Sequence, residues 1–269
     1  MTQIQLSVLL SLLCVAGLAL CGFRPYLDEF RGRMRQTLAA FLLIGILAVV
    51  VFFPVTAFGE AADIDLATLR LPMLLAGHIV LVGFLLVWWR MRGGISLARF
   101  LHLSADRLGD KLRRGLATGA AGWMLTILIT GAATAMAGVS GRVSEPTEMP
   151  PVMAWLAALP ISSKLVIVGA AMTVEEAFFR GFLQPRIGLF LSSVMFAFSH
   201  FSYGLPFMIV GVFTISLIIG RTFARTGDLL PCVIAHGVFD AVQLLIILPL
   251  AVRVWSEPAG VTALWSAIR

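Results

Sequence analysis

Charge is what this chain has least of. Asp, Glu, Lys and Arg make up 13% of its 269 residues, against about 25% in an ordinary soluble domain. Hydrophobic residues account for 59%, and the mean hydropathy is +0.98. That shortage excludes a typical water-soluble enzyme and leaves a polytopic membrane protein. Cysteine is scarce as well. Cys14, Cys21 and Cys232 lie in apolar runs without CxxC or zinc-ribbon spacing, so they read as small buried hydrophobes. No H-E-x-x-H occurs, so the helix of the common zinc proteases is absent. Met1 to Gln5 holds no Lys or Arg. Without the charged start of a secretory leader, the first apolar run is expected to be retained as a span.

The formal net charge is +6. In a soluble protein that excess would suggest nucleic acid. Here the basic residues cluster in short loops between apolar runs, which membrane topology explains, and no nucleic-acid partner is expected. A span needs about 20 apolar residues. Eight candidates meet or approach that length: Ile4–Phe23, Leu38–Phe58, Leu71–Trp89, Leu116–Ala137, Leu165–Leu183, Ile187–Phe201, Leu205–Ile219 and Leu229–Val252. Backbone crossing a bilayer must satisfy its own hydrogen bonds, so the fold class expected is all-α, a membrane helix bundle of about eight transmembrane helices. The sixth and seventh runs are short, and only Ser202-Tyr203-Gly204 separates them, which suggests a tight hairpin.

Arg24, Arg31, Arg33 and Arg35 follow the first span, and Arg90, Arg92, Arg99, Arg107, Lys111, Arg113 and Arg114 follow the third. Arg186, Arg221 and Arg225 fall in later connections of the same side. The intervening loops are acidic or nearly neutral (Glu60, Asp63, Asp65 with Arg70; Arg142 with Glu145 and Glu148). The positive-inside rule makes the basic side cytoplasmic and puts both termini outside. Arg90 to Arg114 alternates apolar and basic residues and fits an amphipathic surface helix. Trp88, Trp89, Trp123 and Trp155 fall mostly near predicted interfaces, where aromatic belts lie. Gly115, Gly119 and Gly122 suggest close helix packing. A Pro- and Gly-rich seam near residue 150 divides one membrane domain into an N-terminal four-helix half, 1–140, and a C-terminal half, 163–253, expected to be catalytic.

The informative residues are the polar ones inside apolar runs, because a charge in hydrocarbon is costly and usually functional. Glu175, Glu176 and Arg180 lie in the fifth span, His200 ends the sixth, and His236 and Asp240 lie in the last. Residues four apart on a helix are neighbours, so Glu176 should pair with Arg180, and His236 should share a face with Asp240. Glu175 points about 100° away from Glu176, which leaves one carboxylate neutralised and one available for chemistry. Such groups can activate water, stabilise an oxyanion or ligate a divalent metal, and spacing does not choose among these. A non-catalytic transporter or immunity protein could use the same polar core for binding. His78 lies mid-span without an acid at helical spacing and reads as structural or interhelical. Straight helices would leave Glu175, His200 and His236 at different depths, so a shared site needs either a short, sunken sixth helix or span boundaries displaced by a turn, and the short sixth and seventh runs favour the first.

Three motifs occur in order: Glu175-Glu176-Ala177-Phe178-Phe179-Arg180 fits E-E-x-x-x-R, Phe196 to His200 fits F-x-x-x-H, and His236 to Asp240 fits H-x-x-x-D/N. Together they resemble the CAAX protease and bacteriocin-processing (CPBP) family of intramembrane endopeptidases, over about Leu165 to Leu244. The resemblance implies that Glu175 polarises the attacking water and that Glu176 with Arg180 forms a supporting ion pair. It implies that His200 shares in activating the water, and that His236 and Asp240 stabilise the oxyanion. Asp240 stands where eukaryotic members often have Asn. A carboxylate cannot donate to an oxyanion unless protonated or bridged, so Asp240 is expected to orient His236 instead. The resemblance favours a metal-free glutamate mechanism over a zinc-dependent one, for which Glu175, His200 and His236 would be the ligands. It also implies a peptide or protein substrate at the bilayer. The localisation expected is the bacterial inner membrane.

Overall fold

The structure is a computed structural model and describes residues 1–57, 71–139, 151–201 and 206–256. The elements among them are helical: α1 (Gln3–Leu20), α2 (Pro25–Asp28), α3 (Arg33–Leu47), which runs through a π-helical stretch into α4 (Phe53–Thr56), α5 (Leu71–Arg92), α6 (Leu97–Phe100), α7 (Leu108–Val139) and α8 (Pro151–Ala158). There follow α9 (Ile161–Ala170), two π-helical stretches at Ala171–Glu175 and Ala177–Leu183, then α10 (Gln184–Phe198), α11 (Pro206–Thr226), α12 (Leu230–Val242) and α13 (Leu248–Ser256). The protein is a polytopic helical membrane bundle. Among the described residues six helices are long and apolar enough to cross a membrane, or up to seven if the bent pair Val152–Ala158 and Ile161–Phe198 counts as one span. The acidic connection around Glu60 to Arg70, the one around Arg142 to Glu148, and the Ser202-Tyr203-Gly204 link lie outside the described residues.

Three expectations change. The seventh run is not short: α11 is 21 residues long and continues past Ile219 to Thr226. Its apolar composition stops at Gly220-Arg221 but its backbone does not, because Arg221 and Arg225 reach water from the last turn while the helix holds its hydrogen bonds. The segment Arg90 to Arg114 is not one amphipathic helix. Gly93 and Gly94 both take positive φ (62° and 71°), which breaks the helix and leaves the single turn of α6 under a Ser96 cap before α7 begins. Trp88 is no interfacial anchor. It is fully buried, with its indole N–H donating to Glu29 Oε2 at 3.2 Å. The polar handle of a Trp needs a partner when buried, and here an acid from the first basic loop supplies it.

The short sixth helix is present. Gly188, with φ 82° and ψ 169°, breaks the helical path inside α10. Only glycine adopts that backbone without strain.

Between helices in lipid there is little hydrophobic drive, so close packing has to supply the cohesion. The glycines of α7 do this against α12. A Cβ on Gly119 would sit 2.8 Å from the carbonyl oxygen of Ala235, and one on Gly115 would sit 2.6 Å from Ile234 Cβ. A second contact ties α5 to the π-helical stretch Ala177–Leu183. Phe84 meets Phe182 at 5.0 Å and Phe178 at 5.7 Å, and Trp88 meets Phe182 at 5.0 Å, all edge-on between ring centroids. The basic connections gather at one end of the bundle. Glu29 binds Arg186 Nε at 2.7 Å and Arg92 at 3.4 Å. Asp228 binds Lys111 at 2.7 Å.

Candidate active site

The chain is locally π-helical on both sides of Glu176. A π turn inserts a residue into the helical repeat and re-aims the side chains beside it, and such turns are frequent at functional sites. Here Glu175 and Glu176 are sent to different neighbours, Glu175 toward α5 and His200, Glu176 toward α12.

Glu176 is completely buried. Its Oε1 lies 3.0 Å from Arg180 Nη1 and accepts from His236 Nδ1 at 2.8 Å. Arg180 is equally buried. It donates through Nη2 to the Ser216 side chain at 3.1 Å and carbonyl at 3.3 Å, and its guanidinium lies over the Phe196 ring at 4.6 Å. On the far side of the imidazole, His236 Nε2 lies 3.3 Å from Asp240 Oδ2. Each nitrogen of His236 therefore faces a carboxylate oxygen, and a hydrogen on each satisfies both acids. The expected pairs Glu176–Arg180 and His236–Asp240 are formed. What sequence spacing does not reveal is that Glu176 joins them into one chain, because helical spacing says nothing about contacts between helices.

Glu175 sits apart from that chain. His200 Nε2 approaches its Oε2 at 3.8 Å. His200 Nδ1 lies 2.8 Å from the Phe196 carbonyl and 3.0 Å from Ser199 Oγ. A carbonyl can only accept, so Nδ1 carries the hydrogen, and in the neutral ring Nε2 presents a lone pair toward Glu175. The short α10 thus brings His200 to the level of the fifth run, which a shared site requires. Phe196 contacts both histidines, its centroid 4.6 Å from the ring of His200 and 5.9 Å from that of His236.

One residue beside this site escapes the reading of the motifs. His78 of α5 is interhelical, with its Nε2 3.1 Å from Glu175 Oε1. Its bond crosses from the N-terminal half, beyond the reach of any helical spacing rule. The one signal was an imidazole in the middle of an apolar span, where a polar group needs a partner.

A metal fits poorly here. Among the described residues no group of three or more His, Cys, Asp and Glu side chains is arranged to hold one.

Residues 155–242 match the family described as type II CAAX prenyl endopeptidase Rce1-like. A relative from Bacillus subtilis (strain 168), described as "Uncharacterized protein YpbD", is 41% identical over 69 residues, which is 25% of this chain. The chain covers 36% of that relative's length. No solved structure matches. The matched stretch contains Glu175, Glu176, Arg180, His200, His236 and Asp240 and excludes His78. The segment 155–242, which holds the three polar motifs, is similar to that family.

Proposed function

We propose that this chain is an intramembrane endopeptidase that cleaves a membrane-associated peptide with a water activated by Glu175. One observation carries the reading: a buried carboxylate oxygen of Glu175 lies 3.8 Å from Nε2 of His200. That separation is too long for a direct bond and short enough for both atoms to hold one water. Glu175 takes a proton from this water as its oxygen attacks the scissile carbonyl carbon. His200 accepts the second hydrogen bond and orients the attack. The carbonyl π electrons move onto oxygen, and the tetrahedral oxyanion is stabilised by His236. On collapse the C–N bond breaks and the proton held by Glu175 passes to the leaving amine. A carboxylic acid and an amine result. Asp240 and Glu176 hold the His236 ring in place between them and touch no reacting atom.

The substrate class that fits a catalytic centre within a bundle is a peptide anchored near its cleavage site, a lipidated C-terminus being the case the family's description suggests. The Bacillus relative supports a bacterial plasma membrane as the location.

The test compares wild-type and Glu175→Gln membranes by terminal proteomics, alongside purified protein in nanodiscs given internally quenched peptides with and without a C-terminal farnesylated cysteine. An uncleaved precursor should accumulate in the variant, and turnover should fall roughly 100-fold or more while thermal unfolding stays unchanged. Turnover by the wild type should survive dialysis against a chelator. A Glu175→Gln protein that cleaves normally refutes the proposal.

A further inference from the structure

We infer that His78 is a positioning residue for Glu175, so that the N-terminal half of the bundle completes the catalytic centre. This rests on the endopeptidase reading. His78 lies outside the matched stretch 155–242 and outside all three motifs. Its Nε2 meets Glu175 Oε1 at 3.1 Å while His200 approaches the other oxygen, Oε2, at 3.8 Å. The two imidazoles thus divide the carboxylate between them. A carboxylate accepts only, so Nε2 of His78 carries the hydrogen. Holding Oε1 fixes the carboxylate's rotation and turns Oε2 toward the water position beside His200.

His78 sits on a packed helix face. On α5 it shares a face with Leu81, Leu85 and Trp88, which are buried. Two turns further along, Phe84 and Trp88 pack on Phe178 and Phe182, three and seven residues after Glu175. The same helix pair that presents the carboxylate therefore also clamps its partner.

A bland role as interhelical glue explains less. Among the described residues, Glu175 Oε2 and His78 Nδ1 are both buried without a hydrogen-bond partner. Leaving buried polar atoms unsatisfied destabilises a fold. Two apolar side chains would join α5 to the π-helical stretch without that cost. The arrangement makes sense where one carboxylate oxygen must be kept for chemistry.

The test has an arm that needs no activity. The chain has four histidines, so nitrogen-15 histidine NMR in nanodiscs can resolve each. His78 should be the Nε2–H tautomer, and Glu175→Gln should move its signal. An unmoved signal overturns the contact. The second arm measures turnover of the quenched peptides. His78→Leu should lower kcat roughly 10–100-fold with KM within about two-fold, since misplacing a reacting group by about 1 Å costs on that order. His78→Gln, whose amide nitrogen can reach Oε1, should recover most of the loss. Where the Leu variant does not fold, His78→Asn serves, its amide being too short to reach; it should show the same kcat loss. Wild-type kcat in the Leu or Asn variant, or no recovery in a folded Gln variant, overturns the inference. Failure of the wild type to cleave any peptide instead refutes the endopeptidase reading and leaves the NMR arm to judge the contact.

Discussion

Arg180 shows how unequal the parts of the polar core are. It touches Glu176, Ser216 and the face of Phe196 and is 1% exposed. Removing one member of a buried pair leaves the other charge uncompensated, a loss of about 3–5 kcal/mol. Arg180→Met should therefore unfold far more easily in detergent and lose activity with it. Adding Glu176→Gln should restore much of the stability, because the stranded charge disappears. A double variant no more stable than the single one would show that the guanidinium acts mainly through Ser216 and Phe196. Glu175 contrasts with it, because its partners are imidazoles and its replacement strands no arginine. At this scale the sequence was informative where partners share a helix. Spacing of four placed Glu176 with Arg180 and His236 with Asp240. It was silent on Glu176 with His236 and on Glu175 with His78, since those bonds cross between helices far apart in the chain.

Among the elements, α7 and α12 depend most on the absence of side chains. Gly119 leaves room for the Ala235 carbonyl and for Val238, next to the helix face that carries His236 and Asp240. Backbone cannot yield as a flexible side chain can. Gly119→Val should push α12 outward, cost about 1–3 kcal/mol as an overpacked core does, and reduce turnover by displacing His236. A Cβ added at Gly131 of the same helix would meet nothing within 4 Å, so Gly131→Ala should leave both unchanged. Equal thermal midpoints for the two variants would show that the close approach at Gly119 carries no stability. The glycine spacing in α7 was readable as a packing surface, but not its partner. The π-helical turns around Glu176 were not readable at all, since no residue pattern distinguishes them from ordinary helix. The true length of α11 was hidden because composition changed before the hydrogen bonding did.

For the whole molecule, the connections at the basic end of the bundle are locked together. Asp228, at the entrance to α12, accepts from Lys111 and from Ser104 Oγ at 2.6 Å and from the Leu230 backbone at 2.9 Å, while the Leu229 N–H donates to the His102 carbonyl at 2.9 Å. Burial pushes the Asp228 carboxyl up, but the hydrogen bonds from Lys111, Ser104 and Leu230 outweigh it and hold it below its ordinary value. A carboxyl with a lowered folded value stabilises the fold fully above its unfolded value, about 3.9. That stabilisation fades as pH falls through the folded value. The wild type should therefore melt above Asp228→Asn at neutral pH, with the gap closing below about pH 4. A gap that ignores pH would mean the carboxylate charge contributes nothing. The sequence alone determined the membrane-bundle class, the clustering of basic connections at one end and the identity of six candidate site residues, because hydropathy, charge asymmetry and helical spacing are local properties of a chain. Only the tertiary structure decided that α5 delivers a second imidazole to Glu175, and that Glu176 binds α12. Those contacts arise where separate helices pack, and packing is set by which backbones can approach one another.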